Sequence, residues 1–134
     1  MIYLLDTNII AYLIKNKDLA LLEKFEAASK QNEIGISSIT YAEICFGLEK
    51  RQSEKLKIKV LTFIDVFKIF PFDEKAAVEY GKIRAQLEKE GKLIGILDML
   101  IAAHAKSLNA ILITNNEQEF RRVEGLLVEN WCEK

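Results

Sequence analysis

Residues 98–114 read DMLIAAHAKSLNAILIT. The first part of this stretch, residues 98–108, predicts a helix that is apolar on nearly every side, as in helices that are deeply buried. The second part, residues 110–114, has the continuous apolar run of a strand that is buried on both faces. A buried helix followed closely by a buried strand is typical of a sheet covered by helices on both faces.

The same alternation of strands and helices extends from this stretch towards both ends of the chain. Short apolar runs predict further strands at residues 2–5, 34–37, 68–71 and 126–128. Helical spacing of apolar residues predicts helices at 7–14, 18–31, 40–50, 54–67 and beyond Asp73, which is the expected N-cap. We therefore predict an α/β fold: a single domain over residues 1–134 with three α/β/α layers and a parallel sheet of four or five strands.

The composition excludes several classes of protein. The chain has 134 residues, of which 50% are apolar, so it can bury a core. Its net charge of -1 argues against non-specific coating of nucleic acid, which depends on many phosphate contacts. The two cysteines form no CxxC motif. No apolar stretch predicts a signal peptide or a membrane span, and we expect a cytoplasmic protein.

Polar side chains follow several of the predicted strands. Asp6 directly follows the first strand, and Glu43 lies one turn into the helix that follows the second. Asp98 starts the buried helix, and Asn116 follows the strand at 110–114 by two residues. Ligands of open parallel sheets bind beyond the carboxyl ends of the strands. We therefore expect these three acids and one amide to meet at one edge of the sheet.

Carboxylates that are crowded together repel one another, and such a cluster persists only with bound protons or a cation. Oxygen ligands without histidine or cysteine suit Mg²⁺ or Mn²⁺. A cation of this kind lowers the pKa of a bound water and neutralises charge on a phosphoryl group. The cluster thus predicts hydrolysis of a phosphodiester, with Asp6, Glu43 and Asp98 as the metal-binding residues.

Purely structural interpretations of the same residues stay open at this stage. Asp98 has the position of an N-cap, and Thr40 with Glu43 matches a capping box. Asn116 suits a turn. Asp6 favours a functional role, because an acid directly after a buried strand is costly to bury without a partner.

The remaining charged residues are weaker candidates. His104, the only histidine, is six residues beyond Asp98 and on a different helix face, which favours a place in the core or behind the site over a catalytic base. A basic run is more typical of a solvated helix face than of an RNA contact. It comprises Lys50, Arg51, Lys55, Lys57 and Lys59.

Short motifs occur along the chain in the order in which PIN domains carry them. They are LDTNI at 5–9, SITYAE at 38–43 with Gly47, IG at 94–95, Asp98 with IAAHA at 101–105, TNN at 114–116, EF at 119–120 and ENW at 129–131. The chain resembles the PIN-domain family in this ordered set, which covers nearly its whole length. The closing motifs resemble those of VapC-type toxins.

The resemblance implies an Mg²⁺-dependent endoribonuclease toxin, with Mn²⁺ as an alternative metal. Such toxins cleave structured RNA and so inhibit translation and growth, and a related enterobacterial type cuts initiator tRNA in its anticodon loop. They are typically homodimers that a VapB-type antitoxin neutralises. The resulting complex reaches operator DNA only through the antitoxin.

Two positions depart from the family pattern. Many PIN domains have an acid where this chain has Asn116. Glu119, one helical turn further on, is the alternative source of that charge, and the sequence leaves open which of the two completes the site and whether it holds one or two metal ions. Leu93 stands where relatives often have proline before the Ile-Gly pair.

Other classes fit the sequence less well. A haloacid-dehalogenase-like enzyme needs a second Asp two residues after Asp6, where this chain has Asn8. A receiver domain needs paired acids at the first strand and a lysine late in the sheet, and neither appears. The glycine-rich loops that bind phosphate are also absent. A degenerate PIN domain that only binds a partner or RNA is the remaining alternative. The retention of Asp6, Glu43 and Asp98 favours the enzyme.

Overall fold

The centre of the molecule is a sheet of five parallel strands in the order β3-β2-β1-β4-β5, seen in a computed structural model that describes residues 1–132. The strands are β1 (Ile2–Leu5), β2 (Glu33–Ser37), β3 (Lys68–Phe70), β4 (Ile111–Ile113) and β5 (Leu127–Glu129). The helices are α1 (Thr7–Lys15), α2 (Leu19–Ser29), α3 (Ser38–Arg51), α4 (Glu54–Ile64), α5 (Glu74–Glu90), α6 (Ile96–Ser107) and α7 (Glu117–Phe120).

The two faces of the sheet support separate hydrophobic cores, because successive side chains of a strand point to opposite faces. Leu4 and Leu112 pack with α5 and α6 on one face. Leu5 and Ile113 pack with α1, α2 and α4 on the other. The predicted three-layer α/β/α fold with a parallel sheet is therefore confirmed.

The apolar helix predicted at residues 98–108 is α6. Its residues Ala102, Ala103 and Ala105 are fully buried, and Met99 and Ile101 are each 2% exposed. The helix begins at Ile96, two residues before the predicted start, with Gly95 as its N-cap. Asp98 therefore lies inside the first turn and does not begin the helix.

Some predicted boundaries were wrong because hydrophobic periodicity does not stop where a helix stops. The helix predicted to reach residue 67 ends at Ile64, and Phe67 is nevertheless buried in the core beyond it. The short helix α7 was not predicted, since four residues are too few to show a helical period. Asp73 caps α5 as predicted, with its Oδ1 accepting from the Ala76 N–H at 3.1 Å.

The order of the strands marks one position in the sheet. The chain passes from β1 to β2 and β3 in one direction and then returns to place β4 on the other side of β1. Open α/β sheets bind ligands beyond the carboxyl ends of the strands where the order reverses in this way. Here that position lies between β1 and β4, where Asp6 and Thr114 follow their strands. Within residues 1–132, no helix is long and apolar enough to cross a membrane.

Candidate active site

Asp6 is built into the junction between β1 and α1. Its side chain is only 5% exposed. Oδ1 accepts from the Ile9 N–H at 3.0 Å and caps α1, and Oδ2 accepts from the hydroxyl of Thr114. The carboxylate at the carboxyl end of the central strand is therefore also a structural group of the fold.

Thr114 was quoted in the sequence only as part of the TNN motif and was given no role at the site. It is fully buried at the end of β4, where its hydroxyl donates to Asp6 and accepts from the Asn116 N–H at 2.9 Å. Its own N–H donates to the carbonyl of Glu129 at 3.1 Å. Thr114 thus fixes Asp6 relative to β4 and β5, and the only sequence signal for this role is a hydroxyl at the end of a buried apolar run.

Glu43 reaches the site from α3. This helix begins at Ser38 with Ser37 as its N-cap, so the predicted capping box of Thr40 and Glu43 is wrong: both residues lie inside the helix. Glu43 Oε1 instead accepts from the hydroxyl of Thr7 at 3.1 Å, across to the first residue of α1. The side chain is therefore directed towards Asp6 and not to its own helix terminus.

Asp98 lies at the third position of α6. The structure shows no side-chain cap on this helix, so the N-cap interpretation of Asp98 is also wrong. Gly95 packs beside it, since a Cβ at Gly95 would lie 3.5 Å from Asp98 Oδ2. The carboxylate is half-buried and forms no cap on the helix to which it belongs.

The carboxylates act on one another electrostatically. Burial, followed by the negative charges of Glu119, Asp6 and Glu43, raises the pKa of Asp98 to about 6. The pKa of Asp6 is raised by burial in the same way, with hydrogen bonds opposing the change and Glu43 adding to it. The four acids thus form one cluster in which full ionisation is unfavourable without a compensating cation.

Asn116 and Glu119 lie together at the edge of this cluster. Asn116 Nδ2 donates to Glu119 Oε2 at 3.2 Å, and among the neighbouring charges that of Glu119 acts most strongly on Asp98. Of this pair, Glu119 supplies the negative charge near Asp98, and the Asn116 amide orients the Glu119 carboxylate by its hydrogen bond. Whether either residue contacts a metal stays a prediction.

His104 is separate from the acidic cluster. It is 1% exposed, and its Nδ1 lies 2.7 Å from the hydroxyl oxygen of Ser37. Burial lowers its pKa, against weaker opposing effects of the Asp73 charge and the Pro71 carbonyl. A neutral, buried imidazole of this kind belongs to the core, as the sequence favoured.

The donor set fits a hard divalent cation by its chemistry, because every side chain in the cluster offers oxygen. As positioned, however, no three acidic, histidine or cysteine side chains within residues 1–132 stand close enough to hold a metal. Two of the oxygens accept from the hydroxyls of Thr7 and Thr114. Binding a cation would therefore require the longer or more exposed carboxylates, Glu43 and Asp98, to turn towards Asp6.

A parallel sheet with an acidic cluster at its reversal of strand order is the arrangement of a PIN domain. The family model for the PIN domain matches residues 3–126, and the chain belongs to this family. The VapC-type resemblance is also confirmed. Ribonuclease VapC2 of Rickettsia felis is 42% identical over 132 residues, covering 98% of each chain. The tRNA(fMet)-specific endonuclease VapC of Shigella flexneri is 39% identical over 130 residues, covering 96% of this chain and 97% of that protein.

Solved structures show the same relationship. The crystal structure of VapBC2 from Rickettsia felis, bound to a DNA fragment from its promoter, superposes with a TM-score of 0.92 at 41% identity, covering 98% of this chain and 99% of that one. The structure of VapBC-1 from nontypeable Haemophilus influenzae gives a TM-score of 0.89 at 38% identity, covering 98% of both chains.

Proposed function

We propose that this protein is a metal-dependent endoribonuclease toxin that cleaves structured RNA and is neutralised by a cognate antitoxin. The observation that carries the proposal is the cluster of Asp6, Glu43, Asp98 and Glu119, in which the pKa of Asp98 is raised to about 6. Support comes from relatives named as ribonucleases that align with nearly the whole chain.

Asp6, Glu43 and Asp98 would hold Mg²⁺, or Mn²⁺ in its place, and Glu119 or Asn116 would complete the set. When bound, such a metal lowers the pKa of a water and neutralises charge on the phosphoryl group. The chain's own contribution is to position the ligands: Thr114 orients Asp6, and Thr7 orients Glu43. His104 faces Ser37 instead, so we assign no catalytic base to a side chain.

The proposed substrate is tRNA, with the anticodon loop of initiator tRNA as its narrowest form. Support for this choice is the name of the Shigella flexneri relative, a tRNA(fMet)-specific endonuclease. Cleavage there would inhibit translation and growth.

The proposed partner is a VapB-type antitoxin. Support comes from the solved relatives, which are VapBC complexes, one of them bound to promoter DNA. A basic side chain of the antitoxin would pair with the acidic cluster, because arginine binds carboxylates bidentately. The toxin is proposed to act as a homodimer and to reach operator DNA only through its antitoxin.

The test is cleavage of a purified tRNA pool with Mg²⁺ and with a chelator, with the 5′ ends of the products mapped. The control is Asp98→Asn, which removes a charge without removing a helix cap. We expect Mg²⁺-dependent cleavage by the wild-type protein and none by the variant. Equal cleavage by both would refute the site. Binding of RNA without cleavage by the wild-type protein would favour the degenerate PIN domain.

A further inference from the structure

A buried hydrogen bond joins α3 to α6 behind the acidic cluster. Ser37, the last residue of β2, caps α3 by accepting from the Ile39 N–H at 3.0 Å. The same hydroxyl oxygen lies 2.7 Å from Nδ1 of His104 on α6. Both side chains are inaccessible, with Ser37 at 0% and His104 at 1% exposure.

We assign the Ser37 hydroxyl as the donor in this bond and Nδ1 of His104 as the acceptor. The Ser37 oxygen already accepts from Ile39, so donating its single proton to His104 uses the hydroxyl in both roles. Burial lowers the pKa of His104 and keeps the ring neutral, as an acceptor must be. The ring proton is then on Nε2, which has no hydrogen bond of ordinary geometry among residues 1–132. Phe72 packs edge-on against the ring, with centroids 5.5 Å apart.

The two bonded residues have matching positions relative to the site. Ser37 stands six residues before Glu43, and His104 stands six residues after Asp98. Each carboxylate therefore lies about 9 Å along its helix from the bond, at a rise of about 1.5 Å per residue. A small change in the tilt or rotation of either helix at the bond would therefore displace the carboxylate that lies further along the same helix.

We propose that His104 is a positioning residue: through Ser37 it sets the separation between Glu43 and Asp98. The proposal rests on the proposed function, since it concerns the binding of a divalent cation by that cluster. Asp6 is held independently by Thr114, so the bond governs only the two carboxylates that come from α3 and α6. An apolar side chain of similar size would fill the space but would leave the buried Ser37 hydroxyl without an acceptor.

The test compares His104→Leu, which fills the space without an acceptor, with His104→Asn, whose amide oxygen can accept near the place of Nδ1. Ile101→Val is the matched control, because it removes one buried methyl group from α6 and leaves both Ser37 and His104 in place. Mg²⁺ affinity of each purified variant is measured by titration calorimetry, and urea unfolding gives its stability. Loss of affinity from perturbed support of ligands is typically ~10-fold or more.

We expect His104→Leu to weaken Mg²⁺ binding about tenfold, His104→Asn to stay within about threefold of wild type, and Ile101→Val to bind normally. Ser37→Ala should weaken binding too, and adding it to His104→Leu should produce little further loss of affinity, because both remove the same bond. Ser37→Ala also removes the cap of α3, and we expect that second loss to appear as lower stability in urea unfolding. At saturating Mg²⁺ the kcat for RNA should recover in His104→Leu.

Three results overturn the proposal. They are normal Mg²⁺ affinity in a folded His104→Leu variant, equal loss of affinity in Ile101→Val, and no Mg²⁺ binding by the wild-type protein. The proposed function is judged separately by RNA cleavage. A wild-type protein that binds Mg²⁺ but cleaves no RNA fails as a nuclease, while the affinities of the variants still decide the role of His104.

Discussion

Asp6 and Asp98 carry the same functional group to the same edge of the sheet, and burial raises the pKa of both, but they differ in their hydrogen bonds. The Asp6 carboxylate caps α1 and accepts from Thr114, so its buried charge is partly compensated by hydrogen bonds. No hydrogen bond to the Asp98 carboxylate is seen in residues 1–132, and its pKa is raised to about 6 by burial and by its acidic neighbours. The contacts of Asp6 hold the fold together, whereas the ionised carboxylate of Asp98 costs stability in the absence of a cation.

Asp6→Asn should have the largest effect, because it alters both roles. Cleavage of tRNA should be abolished, since the cluster loses a charged ligand. The free energy of unfolding should fall by about 1 kcal/mol, because the weaker cap of α1 and the changed hydrogen bond to Thr114 outweigh the relief of no longer burying a charge. Urea unfolding and RNA cleavage on the same preparation check both numbers. Unchanged stability would show that the Asp6 hydrogen bonds contribute little.

Asp98→Asn should abolish cleavage just as completely but shift stability the other way. Without metal and above pH 7, the variant should be more stable than wild type. Unfolding in a chelator measures this difference. A shift of about two pKa units corresponds to about 3 kcal/mol, and solvent screening of this partly exposed group reduces the expected gain to about 1 kcal/mol. A loss of stability would mean that Asp98 has a structural partner, and the contrast with Asp6 would disappear.

Glu119→Gln and Asn116→Ala together test which of the two residues is the fourth member of the metal site. Glu119 is the charge that acts most strongly on Asp98, so removing it should lower kcat for RNA by about tenfold through loss of electrostatic support. Asn116→Ala only releases the Glu119 side chain and should cost less than the Gln variant. A larger loss from Asn116→Ala would instead assign the fourth position to the amide.

The smallest expected effect is a pH dependence. In the folded state the pKa of Asp98 lies above its ordinary value of 3.8, so the folded form holds its proton more tightly than the unfolded form. Protonation of Asp98 contributes fully to the free energy of unfolding below about pH 4, and this contribution is lost as the pH rises through about 6. The stability difference between Asp98→Asn and wild type should therefore grow over that window. Buried His104 acts in the opposite direction, but it is common to both proteins and cancels in the difference.

The sequence predicted the layers and the positions of the carboxylates because both are local in the chain. A buried strand followed by Asp6, and an apolar helix around residues 98–108, are visible as runs of residue types. The hydrogen bonds that fix the site were not predictable in this way. The partner of Asp6 is Thr114 and that of Ser37 is His104, separated by 108 and 67 residues.

The first residues of two helices were also predicted wrongly from the sequence, and as a result the N-caps of those helices were assigned to the wrong residues. Ser37 and Ser38 occur together, and either one fits an N-cap. The apolar pattern alone suggested a start at residue 40, which made Glu43 look like part of a capping box. A two-residue error at a helix terminus thus changed the assigned role of a carboxylate.

The hydrogen bond between Thr114 and Asp6 also bears on the order in which the protein is synthesised. Asp6 leaves the ribosome 108 residues before its partner, and β1, the middle strand of the sheet, waits for β4 to complete its pairing. Before β4 is synthesised, the chain can assemble only β1, β2 and β3 with helices α1 to α6. A nascent chain that ends before Thr114 therefore has all three of Asp6, Glu43 and Asp98 but lacks one of the hydrogen-bond donors that hold Asp6.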